Sequence, residues 1–253
     1  YNKVPYEPAW PSMYTAEYYK HQEDNMGIVA AYAEYLHESI LQGKVFSEKQ
    51  IQWGKMPELK DFKMIIVHWD IAYTDNDTSD YNACKAWGLH DNKFWLIDCY
   101  VKQSKMKQAV SWMCNFKKQL PTGVNVIFQY ESQFWNGEVQ RAIDEVEWET
   151  GISLNIMKVM VAKVNKLMRI IAKQPYYQNG RIWYNEKLKS HSDTQVGIQQ
   201  LCAIEEGSTE NDDSPDADTE AIDSLEKYST PTNRNNTNST YTTGKIGLNY
   251  QTL

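Results

Sequence analysis

Met64-Ile65-Ile66-Val67-His68-Trp69-Asp70 is a nearly continuous apolar run that ends in an acid. Such a run predicts a central β-strand buried on both faces. A polar loop, Thr74 to Ser79, leads into a second strand near Asn82–Leu89. The turn His90-Asp91-Asn92 leads into a third, Phe94–Val101, so the three strands are expected to form an antiparallel meander. Residues 105–119 predict a helix with Ala109, Trp112, Met113 and Phe116 on one face, ended by Pro121 and Gly123. Val124–Tyr130 is a further apolar strand, and it too runs into an acid, Glu131. A helix near Phe134–Glu149, a short strand at Ile152–Val159 and a basic helix over 162–174 follow. Gly180 turns the chain into Ile182-Trp183-Tyr184, and Pro215 opens a last helix through Asp216–Tyr228. The order implies an α/β class, with a mixed sheet flanked by helices on both faces.

The flanks read differently. Residues 1–23, rich in Tyr and Pro, are expected to be irregular. A helix capped by Asp24 or Asn25 would then run through Val29, Tyr32, Leu36 and Ile40 to Gly43, with 44–60 as a connector. In the tail, 229–253, Asn, Ser and Thr supply 14 of 25 residues, too polar to bury much surface. The opening, Tyr1-Asn2-Lys3-Val4-Pro5, has neither the character of a signal peptide nor an initiator Met, and reads as part of a longer chain.

Composition narrows the classes. The 253 residues are 42% hydrophobic and 23% charged, ordinary for a globular protein, and no apolar run approaches the roughly 20 residues that span a bilayer. The 9 Trp and 17 Tyr are read as core and packing residues. Cys84, Cys99, Cys114 and Cys202 are far apart, which suits free thiols in a reducing compartment and gives no zinc spacing. The net charge of −7 argues against a nucleic-acid partner until its distribution is considered. Residues 205–226 carry ten acids and no Lys or Arg, so the remainder of the chain is +3. Residues 154–189 carry eight basic side chains against one acid, Glu186. One segment can attract phosphate and the other cations, or the two can be solvated faces of opposite sign.

Three acids stand out by position: Asp70 at the end of the first strand, Glu131 at the end of the fourth, and Asp216 at the start of the last helix. Taken singly, an acid after an apolar strand is an ordinary loop residue facing water. Together they form a pocket if the two strands are neighbours and the helix crosses them. Clustered carboxylates repel, and a divalent cation removes that conflict. Oxygen-only ligation suits Mg²⁺ or Mn²⁺. Two such ions roughly 3.5–4 Å apart can support phosphodiester hydrolysis. His68, on the strand face that Asp70 shares, reads as a packed core histidine rather than a base. Asp75, Asp77 and Asp80 lack the central Gly and terminal Glu of an EF-hand loop, so Asp80 reads as a loop-ordering residue. Lys163, Lys166 and Arg169, at i, i+3 and i+6, share roughly one helix face.

Six stretches, in order across residues 63–225, resemble the nuclease domain of viral (tailed-bacteriophage) terminase large subunits. Val67-His68-Trp69-Asp70-Ile71-Ala72 followed by Ser79-Asp80-Tyr81-Asn82-Ala83 resembles the first nuclease motif, and Ile127-Phe128-Gln129-Tyr130-Glu131 the second. Lys166-Leu167-Met168-Arg169-Ile170 and Asn179-Gly180-Arg181-Ile182 resemble the K-x-x-R-I helix and the Gly-x-I strand. Asn211-Asp212-Asp213-Ser214-Pro215-Asp216-Ala217 resembles the third motif. Asp218-Thr219 departs from it, because the family has an apolar residue after Asp-Ala.

The resemblance implies an RNase H-like fold and a metal-dependent endonuclease that cuts concatemeric double-stranded DNA with little sequence specificity, using two Mg²⁺ or Mn²⁺ ions. It implies Asp70, Glu131 and Asp216 as catalytic metal ligands, with Asp213 as a further ligand. Lys163, Lys166 and Arg169 would be DNA contacts, and Asp80 and Asp212 accessory positions. It also implies other terminase subunits and the portal as partners, no membrane, and the cytoplasm of an infected host cell as the location. No G-x-x-x-x-G-K-[ST] occurs, so residues 1–60 are expected to be a linker and the remnant of an ATPase domain, 61–228 the nuclease, and 229–253 a flexible tail. Two alternatives stand beside this reading: another RNase H-like nuclease of resolvase or transposase type, and a portal-docking module with a silent site.

Overall fold

The computed structural model describes residues 7–31, 34–35, 45–73, 80–160, 165–205 and 208–229. The run that opened the reading is β2 (Ile65–Asp70), buried along its whole length, after β1 (Gln52–Gly54). It pairs antiparallel with β3 (Asn82–His90), which pairs antiparallel with β4 (Lys93–Lys102). On its other side β2 pairs parallel with β5 (Val126–Glu131), and β5 with β6 (Met157–Val159). The sheet order is β1-β7-β4-β3-β2-β5-β6, with β7 spanning Ile182–Asn185. An antiparallel meander continued by parallel strands, with helices on both faces, is the RNase H-like arrangement expected from the sequence. Asp91 and Asn92 adopt positive φ in the β3–β4 turn, as a two-residue hairpin requires.

Period-two alternation splits β2 between two cores. Ile65, Val67 and Trp69 face α3 (Met106–Gln119) and α4 (Gly137–Thr150), together with Phe128 and Tyr130 of β5. Ile66 faces the other way, into a core with Trp87, Phe94 and Leu96, closed by Ile170 and Ile171 of α5 (Lys166–Ile171), Ile198 and Leu201 of α7 (Ser192–Cys202), and Ala221, Ile222 and Leu225 of α8 (Asp213–Ser229). His68 and Asp70 share this second face. Between α5 and β7 lies α6 (Gln174–Gln178), with Pro175 in its first turn.

The structure differs from the sequence reading in three places. The first helix is α1 (Ala16–Met26), capped by Thr15, whose side chain accepts from the Tyr18 N–H; Gly27, at φ 86, ends it, and a short α2 (Ile28–Ala31) follows. Asp24 and Asn25 therefore lie inside a helix rather than capping one. The stretch read as a connector contains β1, which pairs with the edge of β7, and it buries Val45, Phe46 and Ile51. Helix α7 has no counterpart in the sequence reading. Leu36, Ile40, the 74–79 loop, Lys163 and residues 230–253 lie outside the described residues. None of the four cysteines is in a disulfide, and no described helix is long and apolar enough to cross a membrane.

Candidate metal and nuclease site

The parallel register pairs His68 with Gln129 and Trp69 with Tyr130, so Asp70 and Glu131 emerge side by side at the carboxyl ends of β2 and β5. Their alternation puts both on the face that α8 covers. Helix α8 crosses β2 and β3 and brings its first turn, with Asp213 and Asp216, over those strand ends. The three acids singled out in the sequence thus converge, and all three are buried.

Neighbouring side chains fix this geometry. Asn82 accepts from Trp69 Nε1 at 2.9 Å and from the Ala72 N–H at 3.2 Å, and donates to the Ser104 carbonyl at 2.6 Å. It thereby holds the chain just after Asp70. The Tyr81 N–H donates to Asp213 Oδ2 at 2.9 Å, tying α8 to the start of β3. Gln129 donates through Nε2 to His68 Nδ1 at 3.1 Å and to Ser224 Oγ at 2.8 Å, linking β2, β5 and α8. Burial drives the His68 pKa down to about 3, with Arg169 pushing the same way. His68 is a neutral packing residue, as read from the sequence.

Lys166 and Arg169, the described members of the basic face, turn inward. Lys166 Nζ lies 2.8 Å from Asp212, 3.3 Å from Asp216 Oδ2 and 3.7 Å from Asp70 Oδ2. Arg169 Nη2 lies 3.3 Å from Asp216 Oδ1 and 3.7 Å from Glu131 Oε1, while Nη1 bonds Glu220. Lys173 continues the series to Asp223 and Glu226. Lys166, Arg169 and Lys173 of the basic segment are therefore paired with Asp212, Asp216, Glu220, Asp223 and Glu226 of the acidic one. Sequence reasoning missed Glu220 and Asn82. Glu220 was findable, since it lies one helical turn after Asp216.

Burial raises the Asp70 carboxyl well above the ordinary range; Lys166 opposes the shift, and Asp216, Asp213 and Glu131 add to it. Burial likewise raises Glu131 and Asp216. Asp213 is pushed up to about 6 by burial, against the Tyr81 N–H and Lys166. Asp80 is exposed and adds a negative field at Asp213. Among the described residues no three His, Cys, Asp or Glu side chains close on a common ion as they stand, and the Lys166 ammonium lies among Asp70, Asp212 and Asp216. The donor set still suits a hard cation. It is all carboxylate, and the buried Asp70 Oδ2 and Asp216 Oδ1 have no hydrogen-bond partner.

Asp218, the acid in the last helix that departs from the motif the sequence resembles, has a buried partner. Asp218 lies 3.4 Å from Lys85 Nζ through Oδ2 and accepts from Trp87 Nε1 at 2.7 Å through Oδ1. The acid on α8 thus answers a buried lysine on β3. With Asp218 turned to β3, Asp216 is the α8 acid that meets both Lys166 and Arg169.

The sequence matches no protein-family model and no curated protein. The fold does match solved structures. The large terminase of a thermophilic bacteriophage aligns over 84% of this chain and 53% of its own, with a TM-score of 0.56 and 14% identity. The human cytomegalovirus terminase nuclease domain, in a Mn-soaked, inhibitor-bound structure, aligns over 72% of this chain and 95% of its own, with a TM-score of 0.53 and 12% identity. The chain spans about half the length of the phage protein. At these identities, what is shared is the fold: a mixed sheet flanked by helices, in common with terminase nuclease domains.

Proposed function

We propose that the chain is the nuclease domain of a viral DNA-packaging terminase large subunit, an Mg²⁺- or Mn²⁺-dependent endodeoxyribonuclease that cuts concatemeric double-stranded DNA. The observation that carries this reading is the meeting of Asp70 and Glu131, at adjacent parallel strand ends, with Asp216 on the helix above them. The shared fold supports it, and so does the Mn soak of the cytomegalovirus domain. Asp70, Glu131 and Asp216 would hold two ions, with Asp213 as a further carboxylate and Asp212 and Asp80 at its margin. When bound, the ions supply an activated water and charge for the leaving oxygen. The chain's own contribution is placement. Asn82 and Tyr81 hold the acids in position, and Lys166 and Arg169, together with Lys163 outside the described residues, would contact phosphates of a bound duplex. Contacts to phosphate carry no base information, so cutting has little sequence specificity. In the assembled particle, residues 1–60 would join this domain to an ATPase domain, and other terminase subunits and the portal would be its partners in the host cytoplasm.

The test is cleavage of supercoiled plasmid by the purified protein. Mn²⁺ should give nicked and linear products, EDTA should stop the reaction, and Asp70→Ala should reduce cleavage to background. Equal cleavage by Asp70→Ala would remove the proposed site. Strong preference for branched junctions over plasmid would favour a resolvase-type enzyme, and a wild-type protein that binds portal but never cuts would favour a docking module.

A further inference from the structure

Three carboxylates surround one ammonium in the site, at 2.8, 3.3 and 3.7 Å from Lys166 Nζ. Arg169, by contrast, is pinned from behind by Glu220. The Lys166 side chain is 36% exposed, against 13% for Arg169, so only the lysine has an open path to solvent. A divalent ion bound to Asp70 and Asp216 sits about 2 Å from their oxygens. An ammonium left 3.3 and 3.7 Å from those oxygens would repel a divalent ion that the same carboxylates coordinate. Asp70 Oδ2, which lies near this ammonium, has no hydrogen bond of its own to keep it there.

We propose that the Lys166 ammonium is the resident counter-ion of the acidic pocket, that a divalent cation displaces it, and that the displaced ammonium then binds a DNA phosphate. The inference rests on the nuclease reading of the same site. It makes metal loading and DNA binding mutually reinforcing. Before the metal enters, the helix charge is neutralised internally and the pocket repels phosphate. Afterwards the acids are satisfied, and a cation on a short helix points outward. By linkage, whatever the metal does for DNA affinity, DNA does equally for metal affinity.

The test uses two binding measurements that need no turnover. Titration calorimetry gives the Mn²⁺ affinity of the DNA-free protein. Fluorescence anisotropy gives its affinity for a short duplex with and without Ca²⁺, a non-cleaving stand-in. Lys166→Gln removes the competitor and should tighten Mn²⁺ binding by roughly fivefold or more, the lower end of usual site–site coupling. Lys173→Gln, on the same charge ladder but contacting Asp223 and Glu226, should leave it nearly unchanged. Ca²⁺ should raise duplex affinity for the wild type and raise it far less for Lys166→Gln. Equal Mn²⁺ affinities of wild type and Lys166→Gln would overturn displacement. A Ca²⁺-driven gain in duplex affinity preserved in Lys166→Gln would overturn the phosphate role and assign that gain to direct metal–phosphate contact. Wild type that binds no Mn²⁺ at all would remove the metal reading itself. Lys166→Met, of matching length, serves if the Gln variant misfolds, with the same outcomes expected.

Discussion

Replacing Asp218 by Leu isolates the buried pair between the last helix and β3. Lys85 Nζ and Asp218 Oδ2 are 3.4 Å apart, with side chains only 1% and 4% exposed. Neither charge reaches solvent, so the small values typical of screened surface pairs do not apply. Removing one partner strands the other charge and costs about 3–5 kcal/mol. The Trp87 indole N–H, donating to Asp218 Oδ1 at 2.7 Å, also loses its acceptor, which places Asp218→Leu at the upper end of that range. Lys85→Met combined with Asp218→Leu removes both charges. Only the orphaned indole remains, at about 1–3 kcal/mol, and the double variant should therefore be more stable than the single. Urea denaturation followed by circular dichroism measures this. With a slope near the upper end of roughly 1–3 kcal/mol per molar, the single variant should lose about 1–2 M in midpoint and the double variant about 0.3–1 M. A double variant no more stable than Asp218→Leu alone would refute the argument, because the cost would then lie in shape rather than in an uncompensated ammonium.

Two further predictions follow from the same face and its neighbour. Asp213 is pushed up to about 6 and Glu220 to about 7, both by burial, with Lys166 and Arg169 respectively opposing. Unfolded carboxylates titrate near 4, so between there and the raised values the folded protein holds more protons; stability in EDTA should fall as pH rises from about 4 to 7, and a Tm higher at about pH 7.5 than at about pH 5 would contradict this. Gly88→Ala would place a Cβ within 2.5 Å of the Phe62 ring, and overpacking there should cost about 1–3 kcal/mol in the same urea experiment; an unchanged midpoint would show that Phe62 moves aside freely.

How much of this was legible in the sequence depended on the range over which each signal acts. β2, β5 and the acids that end them were readable because an apolar run and its terminator are local. Helix α3 announced itself through Ala109, Met113 and Phe116. Helix α7 did not, because it buries Asp193, Thr194 and Gln200 beside Ile198 and Leu201, which blurs the apolar stripe. β1 was missed because three residues carry no period, and its partner β7 lies far along the chain. The two oppositely charged segments were visible as composition. Their mutual pairing, Lys166 to Asp216 and Arg169 to Glu220, was not, because it depends on how α5 lies against α8. Asp218 read as an anomaly in the last helix until Lys85, on a strand far earlier in the chain, supplied its partner.

The His68–Gln129–Ser224 link has a consequence for acid conditions. It ties the first strand of the meander, its parallel neighbour and the covering helix at one point, and the imidazole within it stays uncharged down to about pH 3. Protons arriving at the carboxylates can change what the cleft attracts, yet the rivet that aligns its walls is electrically silent over that interval. A change in the cleft's charge on mild acidification should therefore reverse immediately when base is added, since the frame never has to be rebuilt.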